Sequence, residues 1–89
     1  MHHDLTNRVA LISGASRGLG AAIAVKLGQC GARVAVNYLT NRKEALMVAG
    51  RIQAGGGTAG IFAADVRDEH QVSLLAKKVS TTLSEPVNL

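Results

Sequence analysis

The sequence has few of the residues with which small domains build cross-links and metal sites. It contains one cysteine, Cys30, among 89 residues, so an internal disulfide is excluded. The three histidines, two of them adjacent near the N-terminus, are too few and too poorly spaced to predict a metal site. Cys30 lies on an apolar helical stripe and is predicted to be a small buried hydrophobe.

Long apolar segments and aromatic residues are also scarce. No segment approaches the roughly 20 apolar residues of a membrane-spanning helix, and residues 1–5 lack the apolar core of a signal peptide. Ten lysines and arginines outnumber six acidic residues, but they are spread along the whole chain. Only Tyr38 and Phe62 could stack on bases, so the basic balance does not predict a nucleic-acid partner. We therefore expect a cytoplasmic protein that binds neither membrane nor nucleic acid.

The residues that are present suit one small packed domain. Hydrophobic residues make up 47% of the sequence, with ten glycines and one proline, which favours an α/β protein over a disordered chain. A chain of 89 residues makes at most one domain, which we predict to span residues 1–89. A domain of this size buries a limited share of its surface, so its margin of stability is thin.

Three short apolar segments predict the strands of a sheet. The first lies between charged Arg8 and a Ser-Gly pair and shows no polar alternation, which predicts a strand buried on both faces. The predicted strands are Val9–Ile12, Arg33–Asn37 and Thr58–Ala63.

Helical spacing of apolar residues predicts a helix after each strand. The first helix should end at Gly31, because glycine readily adopts the left-handed conformation of a helix C-cap. The second begins at Asn41 and is ended by the glycines of 55–57. Asp68 is placed to cap a third helix that Pro86 closes. Apolar residues recur at helical spacing in the first helix (Ile23, Leu27 and Cys30) and lie on one face of the second (Ala45, Val48, Ala49 and Ile52). The predicted inward face of the third helix is Val72, Leu75, Ala76, Val79 and Leu83.

The order of these elements predicts the fold class. Strands that alternate with helices across short connections form a parallel sheet through right-handed crossovers. We therefore predict an α/β fold, the N-terminal part of a Rossmann doubly wound parallel sheet, in the order β-α-β-α-β-α. The sheet is truncated at its fourth strand, of which 87–89 would be the start.

The loop between the first strand and the first helix carries the clearest functional signal. Gly14, Gly18 and Gly20 lie between a buried strand and an amphipathic helix, with Leu19 predicted to pack inward. Residues without a Cβ let the backbone approach a pyrophosphate, whose charge the helix N-terminus stabilises. The alternative is that these glycines only permit a tight turn and close helix packing. The loop predicts a dinucleotide-binding site.

The spacing of these glycines resembles that of a known family. Ser13–Gly20, with the pattern G-x-x-x-G-x-G, resembles the cofactor loop of the short-chain dehydrogenase/reductase family. Within that family, Val34–Tyr38 and Ala64–Val66 are most similar to 3-oxoacyl-[acyl-carrier-protein] reductases and their close relatives. The cofactor-binding residues that this resemblance implies are Gly14, Ser16, Arg17, Gly18, Leu19, Gly20, Asn37, Tyr38, Asp65 and Val66.

The resemblance also implies how the adenine of the cofactor is bound. The Asp65 carboxylate would accept a hydrogen bond from the adenine amino group, and the Val66 amide would donate one to a ring nitrogen. The alternative for Asp65 is that it only ends a strand and starts a turn, because Asp is common in turns.

The end of the second strand favours NADP over NAD as the cofactor. Sites that prefer NAD place an acidic residue about 20 residues beyond the glycine loop, but the corresponding strand end here has Asn37, Tyr38 and Leu39, and no acid lies between the glycine loop and Glu44. Arg17, Arg42 and Lys43 could supply positive charge for the 2′-phosphate of NADP. The alternative for Arg42 and Lys43 is a solvated first turn of the second helix.

The catalytic residues of the resembled family do not occur in these 89 residues. The family uses a Tyr-x-x-x-Lys pair, but Tyr38 is the only tyrosine and is followed at that interval by Arg42. Arginine cannot replace the lysine, because its geometry and proton affinity differ, so we assign no catalytic residue. We predict the N-terminal, NADP(H)-binding part of a short-chain oxidoreductase that reduces a carbonyl, such as a 3-oxoacyl thioester, to an alcohol.

Two expectations concern the chain by itself and in a longer form. The 89 residues alone are predicted to be inactive, whereas a full-length form would be a homo-oligomer. The alternative is a non-catalytic fragment that binds nucleotide or a partner, with an unfinished sheet that favours self-association.

Overall fold

A computed structural model describes residues 8–13 and 18–84 of the chain. Three strands alternate with three helices, which confirms the predicted order. The elements are β1 (Val9–Ser13), α1 (Gly18–Gln29), β2 (Arg33–Tyr38), α2 (Arg42–Ala54), β3 (Thr58–Ala63) and α3 (Glu69–Ser84).

The three strands form one parallel sheet in the order β1-β2-β3. Ser13 pairs with Asn37, and Asn37 pairs with Phe62, so the carboxyl ends of all three strands lie in one row. This alignment confirms the predicted α/β class and brings the loops that follow the strands to one edge of the sheet.

Helices α1 and α2 cover one face of the sheet. Alternate residues of β2, Val34 and Val36, are fully buried against them because successive side chains of a strand point to opposite faces. All four predicted inward residues of α2 are buried as expected. The residues of α2 that join this core are Ala45, Val48, Ala49 and Ile52.

Helix α3 covers the opposite face. Ala35 of β2 and Phe62 of β3 pack there against Leu75, Val79 and Leu83 of the helix. The Asp68 carboxylate accepts hydrogen bonds from the amides of His70 at 2.9 Å and Gln71 at 3.4 Å, which confirms Asp68 as the N-cap.

The prediction that β1 is buried on both faces is wrong. Val9 is 38% exposed and Leu11 is 43% exposed, and the rest of the strand is at most half-buried. The reason is position: β1 forms an edge of the described sheet, whereas β2 has a strand on each side. An apolar run without alternation therefore did not distinguish an edge strand from a central one.

The apolar residues that recur at helical spacing in α1 are not its most buried residues, and the prediction that Cys30 is buried is wrong. Ile23 is 44% exposed, and Leu27 and Cys30 are only partly buried. The buried residues are instead the small ones, Ala21, Ala24 and Gly28. A small residue is needed at Gly28 because α1 and α2 approach closely there, with Ile52 of α2 directly opposite.

In α3 the buried stripe is narrower than predicted. Leu75, Val79 and Leu83 are buried, but Val72 and Ala76 are exposed, because none of the described residues packs closely over their side of the helix. The predicted stop at Pro86 and the strand at 87–89 lie outside the described residues.

Two glycines end the first two helices as the sequence predicted. Gly31 has a φ of 98° after α1, and Gly56 has a φ of 91° after α2. Residues with a Cβ rarely adopt this left-handed conformation, so these glycines let the chain turn directly from each helix into the next strand.

The contact between α1 and α2 depends on the missing side chain of Gly28, and we predict that Gly28→Ala destabilises the fold. A Cβ there would lie 2.6 Å from Cγ2 of Ile52, which is buried and stiff at χ1. We expect the free energy of unfolding in urea to fall by about 1–3 kcal/mol.

Gly50→Ala is the matched control for this substitution. Gly50 lies on the exposed side of α2, and a Cβ at this position would meet no atom within 4 Å. We expect the substitution to raise the free energy of unfolding by about 0.5–1 kcal/mol through helix propensity. Equal effects of the two substitutions would contradict the close-contact explanation.

Candidate cofactor site

A cleft of about 300 Å³ lies at the carboxyl edge of the sheet. Its walls are the last residues of the strands and the two loops that lead from β2 to α2 and from β3 to α3. In open parallel sheets, ligands bind outside the carboxyl ends of the strands. The lining residues are Ser13, Asn37, Tyr38, Leu39, Thr40, Asn41, Ala64, Asp65, Val66 and Arg67.

Asn37 lines the cleft and joins the ends of β2 and β3. It is 3% exposed, and its side-chain amide donates hydrogen bonds of 3.2 Å to the carbonyls of Phe62 and Ala64. Asn37 thus has a structural role that sequence reasoning missed, because the two carbonyl partners are 25 and 27 residues away. A contact between Asn37 and a cofactor stays a prediction.

Tyr38 is the last residue of β2 and follows Asn37. Its side chain is partly buried and packs against the core formed by α1 and α2. Its carbonyl accepts a hydrogen bond of 3.0 Å from the Ala64 amide. The predicted cofactor contact of Tyr38 therefore stays a prediction, whereas its backbone joins the two strand ends.

Asp65 forms an ion pair with Arg67 at the rim of the cleft. Nε of Arg67 donates to Oδ1 of Asp65 and Nη2 donates to Oδ2, each at 2.9 Å, and the Arg67 amide also donates to Oδ1. These hydrogen bonds lower the pKa of Asp65 from 3.8 to about 2, and the same pairing raises the pKa of Arg67. Charge-assisted bidentate hydrogen bonds of this kind favour the ionised carboxylate, so Asp65 is a hydrogen-bond acceptor at neutral pH.

The loop after β3 is held by a second pair of hydrogen bonds. The Asp65 amide donates to Oε1 of Gln71 at 2.8 Å, and Nε2 of Gln71 donates to Oδ2 of Asp68 at 3.3 Å. Asp65 does start a turn, as the structural alternative predicted, and it also lines the cleft. The spacing of Asp68 and Gln71 is that of a capping box, but Gln71 accepts from the Asp65 amide, whereas the Asp68 amide donates to the Asp65 carbonyl.

β1 ends at Ser13, in the row of strand ends that borders the cleft, and α1 begins at Gly18. Gly14, Ser16 and Arg17 lie outside the described residues. Gly18 begins α1 with a φ of 64°, and a Cβ there would meet no atom within 4 Å.

Leu19 and Gly20 lie in the first turn of α1. Leu19 is 77% exposed, so the prediction that it packs inward is wrong. The first turn of the helix lies at the open edge, where the described residues do not cover it, and Gly20 is partly buried. Because this turn contains no acidic residue, its amides offer a pyrophosphate an approach without like-charge repulsion.

Two cations occupy the start of α2. Arg42 and Lys43 are exposed in its first turn, and the N-cap residue Asn41 makes no side-chain cap hydrogen bond. Positive side chains at a helix N-terminus are unfavourable because the helix dipole is positive there. An anion bound beside this turn would reverse that repulsion.

The described part of the chain contains neither a candidate metal site nor a candidate membrane-spanning helix. Within residues 8–13 and 18–84, no three His, Cys, Asp or Glu side chains are grouped so that they could hold a metal ion. The same residues form no helix long and apolar enough to cross a membrane.

The ion pair gives Asp65 a testable titration. Arg67→Ala should raise the pKa of Asp65 from about 2 toward its ordinary value of 3.8, as followed by carbon NMR of the side-chain carboxyl. Because the pKa is lowered in the folded state, the stability that this pair contributes is present above the ordinary value and is lost as pH falls toward 2. An unchanged titration in the variant would mean that Arg67 does not hold the carboxylate.

The chain matches known proteins along most of its length. Residues 8–89 match the family model described as short chain dehydrogenase. Versicolorin reductase 1 of Aspergillus parasiticus is 48% identical over 79 residues, which are 88% of this chain and 30% of that protein. The chain thus spans less than a third of the curated relative.

Solved structures agree with this match. The landomycin C-6 ketoreductase LanV, crystallised with NADP and rabelomycin, superposes with a TM-score of 0.85 at 40% identity, over 98% of this chain and 36% of that one. A metagenomic short-chain oxidoreductase in complex with NADP gives a TM-score of 0.80 at 37% identity, over 88% and 35%. These similarities do not single out 3-oxoacyl-[acyl-carrier-protein] reductases. The chain belongs to the short-chain dehydrogenase family.

Proposed function

We propose that the chain is the N-terminal, NADP(H)-binding part of a short-chain oxidoreductase that reduces a carbonyl to an alcohol. The observation that carries the proposal is a juxtaposition at one edge of the sheet. The N-terminus of α1, which suits a pyrophosphate, and the carboxylate of Asp65, which suits an amino group, both follow strands that end in the same row. A dinucleotide presents both chemical groups.

The residues of this edge fit the parts of such a cofactor. The amides at the start of α1 would bind the pyrophosphate, with Gly14, Ser16, Arg17, Leu19 and Gly20 contributing the loop and first turn. Asp65 would accept from the adenine amino group, and the half-exposed Val66 would donate its amide to a ring nitrogen. When bound, the nicotinamide cofactor supplies the hydride for reduction.

Three features support NADP over NAD. Asn37, Tyr38 and Leu39 place no carboxylate at the end of β2, so nothing there repels a 2′-phosphate. Arg42 and Lys43 stand exposed beside it at the start of α2. Two structural relatives, LanV and the metagenomic oxidoreductase, hold NADP.

We propose that these 89 residues bind the cofactor without transferring hydride. Tyr38, the only tyrosine, packs partly against the core of α1 and α2 and is followed at the family's interval by Arg42, which cannot replace the lysine. Catalytic groups, substrate contacts and the subunit contacts of a homo-oligomer would then come from additional chain. A cytoplasmic location accords with this proposal.

The substrate proposed is a ketone. Relatives named as reductases and ketoreductases support that class. A 3-oxoacyl thioester belongs to it and follows from the resemblance of Val34–Tyr38 and Ala64–Val66 to carrier-protein reductases. The names of the relatives equally support a ketone that is not a thioester. The reaction itself, carbonyl reduction, is common to both.

The competing function is a fragment that binds a partner without a cofactor. Val9 and Leu11 are half-exposed on β1, which is an edge strand among residues 8–13 and 18–84, and they favour this alternative because an edge strand can pair with another chain. Cofactor titration separates the two functions: self-association without NADPH binding would support the fragment and defeat the proposal.

The cofactor preference predicts the effect of removing the two cations. Arg42→Ala and Lys43→Ala should each weaken NADPH binding about fivefold, because each removes an exposed contact worth about 1 kcal/mol to a phosphate. Binding of NADH, which lacks the phosphate, should not change. Fluorescence titration of the reduced nicotinamide measures both affinities.

Lys77→Ala, which removes an exposed cation of α3, is the charge-matched control and should leave both affinities unchanged. Tighter binding of NADH than NADPH by the unmodified chain would overturn the preference for NADP.

A second experiment tests the activity proposed for a longer form. We expect the source reading frame, sequenced past the codon for Leu89, to encode the Tyr-x-x-x-Lys pair of the family. Intact mass of the product then establishes which form is made. A stop codon directly after Leu89 would rule out reductase activity and leave cofactor binding alone.

A further inference from the structure

We propose that Arg67 is a positioning residue that determines the purine specificity of the cofactor site. Its ion pair with Asp65 leaves one acceptor position on the carboxylate, which selects a purine with an amino group at C6 over one with a carbonyl there. This inference rests on the proposed binding of a nicotinamide dinucleotide.

The hydrogen bonds of Asp65 define how much of its carboxylate remains available. An ionised carboxylate has about four lone-pair positions on its two oxygens. Oδ1 accepts from both Nε and the backbone amide of Arg67, and Oδ2 accepts from Nη2. Three of the positions are therefore occupied, and the remaining one is on Oδ2.

The same bonds fix the orientation of that last position. A bidentate contact with a planar guanidinium prevents rotation of the Asp65 carboxylate about its Cβ–Cγ bond. The backbone of Asp65 is held independently by Gln71, whose side chain accepts from the Asp65 amide. The Asp65 side chain is 24% exposed and that of Arg67 is 79% exposed, so the pair stands at the open rim of the cleft.

The acceptor on Oδ2 of Asp65 and the amide donor of Val66 together distinguish adenine from hypoxanthine. Adenine offers an amino donor at C6 and an acceptor at N1, which complement Oδ2 of Asp65 and the amide of Val66. Hypoxanthine offers the reverse, a carbonyl at C6 and an N–H at N1, so both contacts would be mismatched. An acceptor can bond the carbonyl only after gaining a proton, and the ion pair with Arg67 opposes protonation of Asp65.

Arg67 would have a different role if it stacked on the base. Hydrogen bonds to a carboxylate lie near its plane, so a guanidinium and an adenine edge that both bond Asp65 lie side by side. Stacking would require Arg67 to leave Asp65. The three hydrogen bonds between the two residues favour the side-by-side arrangement.

The test compares two cofactors on the full 89-residue chain. NADPH and reduced nicotinamide hypoxanthine dinucleotide phosphate differ only at the purine, and nicotinamide fluorescence reports the affinity of each. We expect the unmodified chain to prefer NADPH at least tenfold. Arg67→Ala should reduce this preference at least threefold, mainly by weakening NADPH binding.

Two further variants separate the geometry of Arg67 from its charge and from folding. Arg67→Lys keeps the charge but loses the bidentate contact. Its preference for NADPH over the hypoxanthine cofactor should therefore lie between those of the unmodified chain and Arg67→Ala. Arg51→Ala removes an exposed arginine from the last turn of α2 and should leave the preference unchanged. Urea unfolding midpoints verify that each variant is folded.

The outcomes distinguish this inference from the proposed function. If Arg67→Ala weakens both cofactors equally, Arg67 acts by stacking or charge and the inference is overturned. Equal binding of both cofactors by the unmodified chain also overturns it but leaves the proposed function intact. If the folded, unmodified chain binds neither, the proposed function fails, and the inference fails with it.

Discussion

Parallel, in-register pairing of the three strands is the constraint from which the rest of the site follows. With Ser13, Asn37 and Phe62 in one row, the chain must leave every strand at the same edge of the sheet. Each helix then returns the chain to the opposite edge. The loops that follow β2 and β3 therefore lie side by side at this edge, and together with Ser13 they line the cleft.

Hydrogen bonds stabilise the carboxyl edge of the sheet. The buried Asn37 amide satisfies two carbonyls beyond the end of the regular ladder, and the amide of Ala64 bonds the carbonyl of Tyr38. Buried polar groups must be paired to avoid a desolvation cost, so these bonds hold the ends of β2 and β3 together. The next few residues, from Asp65 to Gln71, are organised by local hydrogen bonds of their own. The part of the candidate site around Asp65 is therefore preformed.

Packing is distributed unevenly around this framework. Val34, Ala35 and Val36 of the central strand have no exposed surface, whereas β1 at the edge is half-open. Gly28 lets α1 approach α2 closely on one face. Local opening is favoured where few apolar contacts are made, so the β1 side is expected to open more easily than the β2–β3 side.

The sequence by itself determined the element order, the parallel sheet and most element ends. Those features depend on local signals: glycines that permit a left-handed turn, as at Gly31, a capping Asp68, and apolar residues at a helical period. The glycine spacing also indicated the family. The helical pattern also indicated the buried face of α2. Only the tertiary structure decided burial in β1 and α1, where Leu11 and Ile23 are exposed, because burial there depends on neighbours distant in sequence. It also decided the bonds of Asn37 and the pairing of Arg67 with Asp65, because side-chain partners depend on how the loops meet in space.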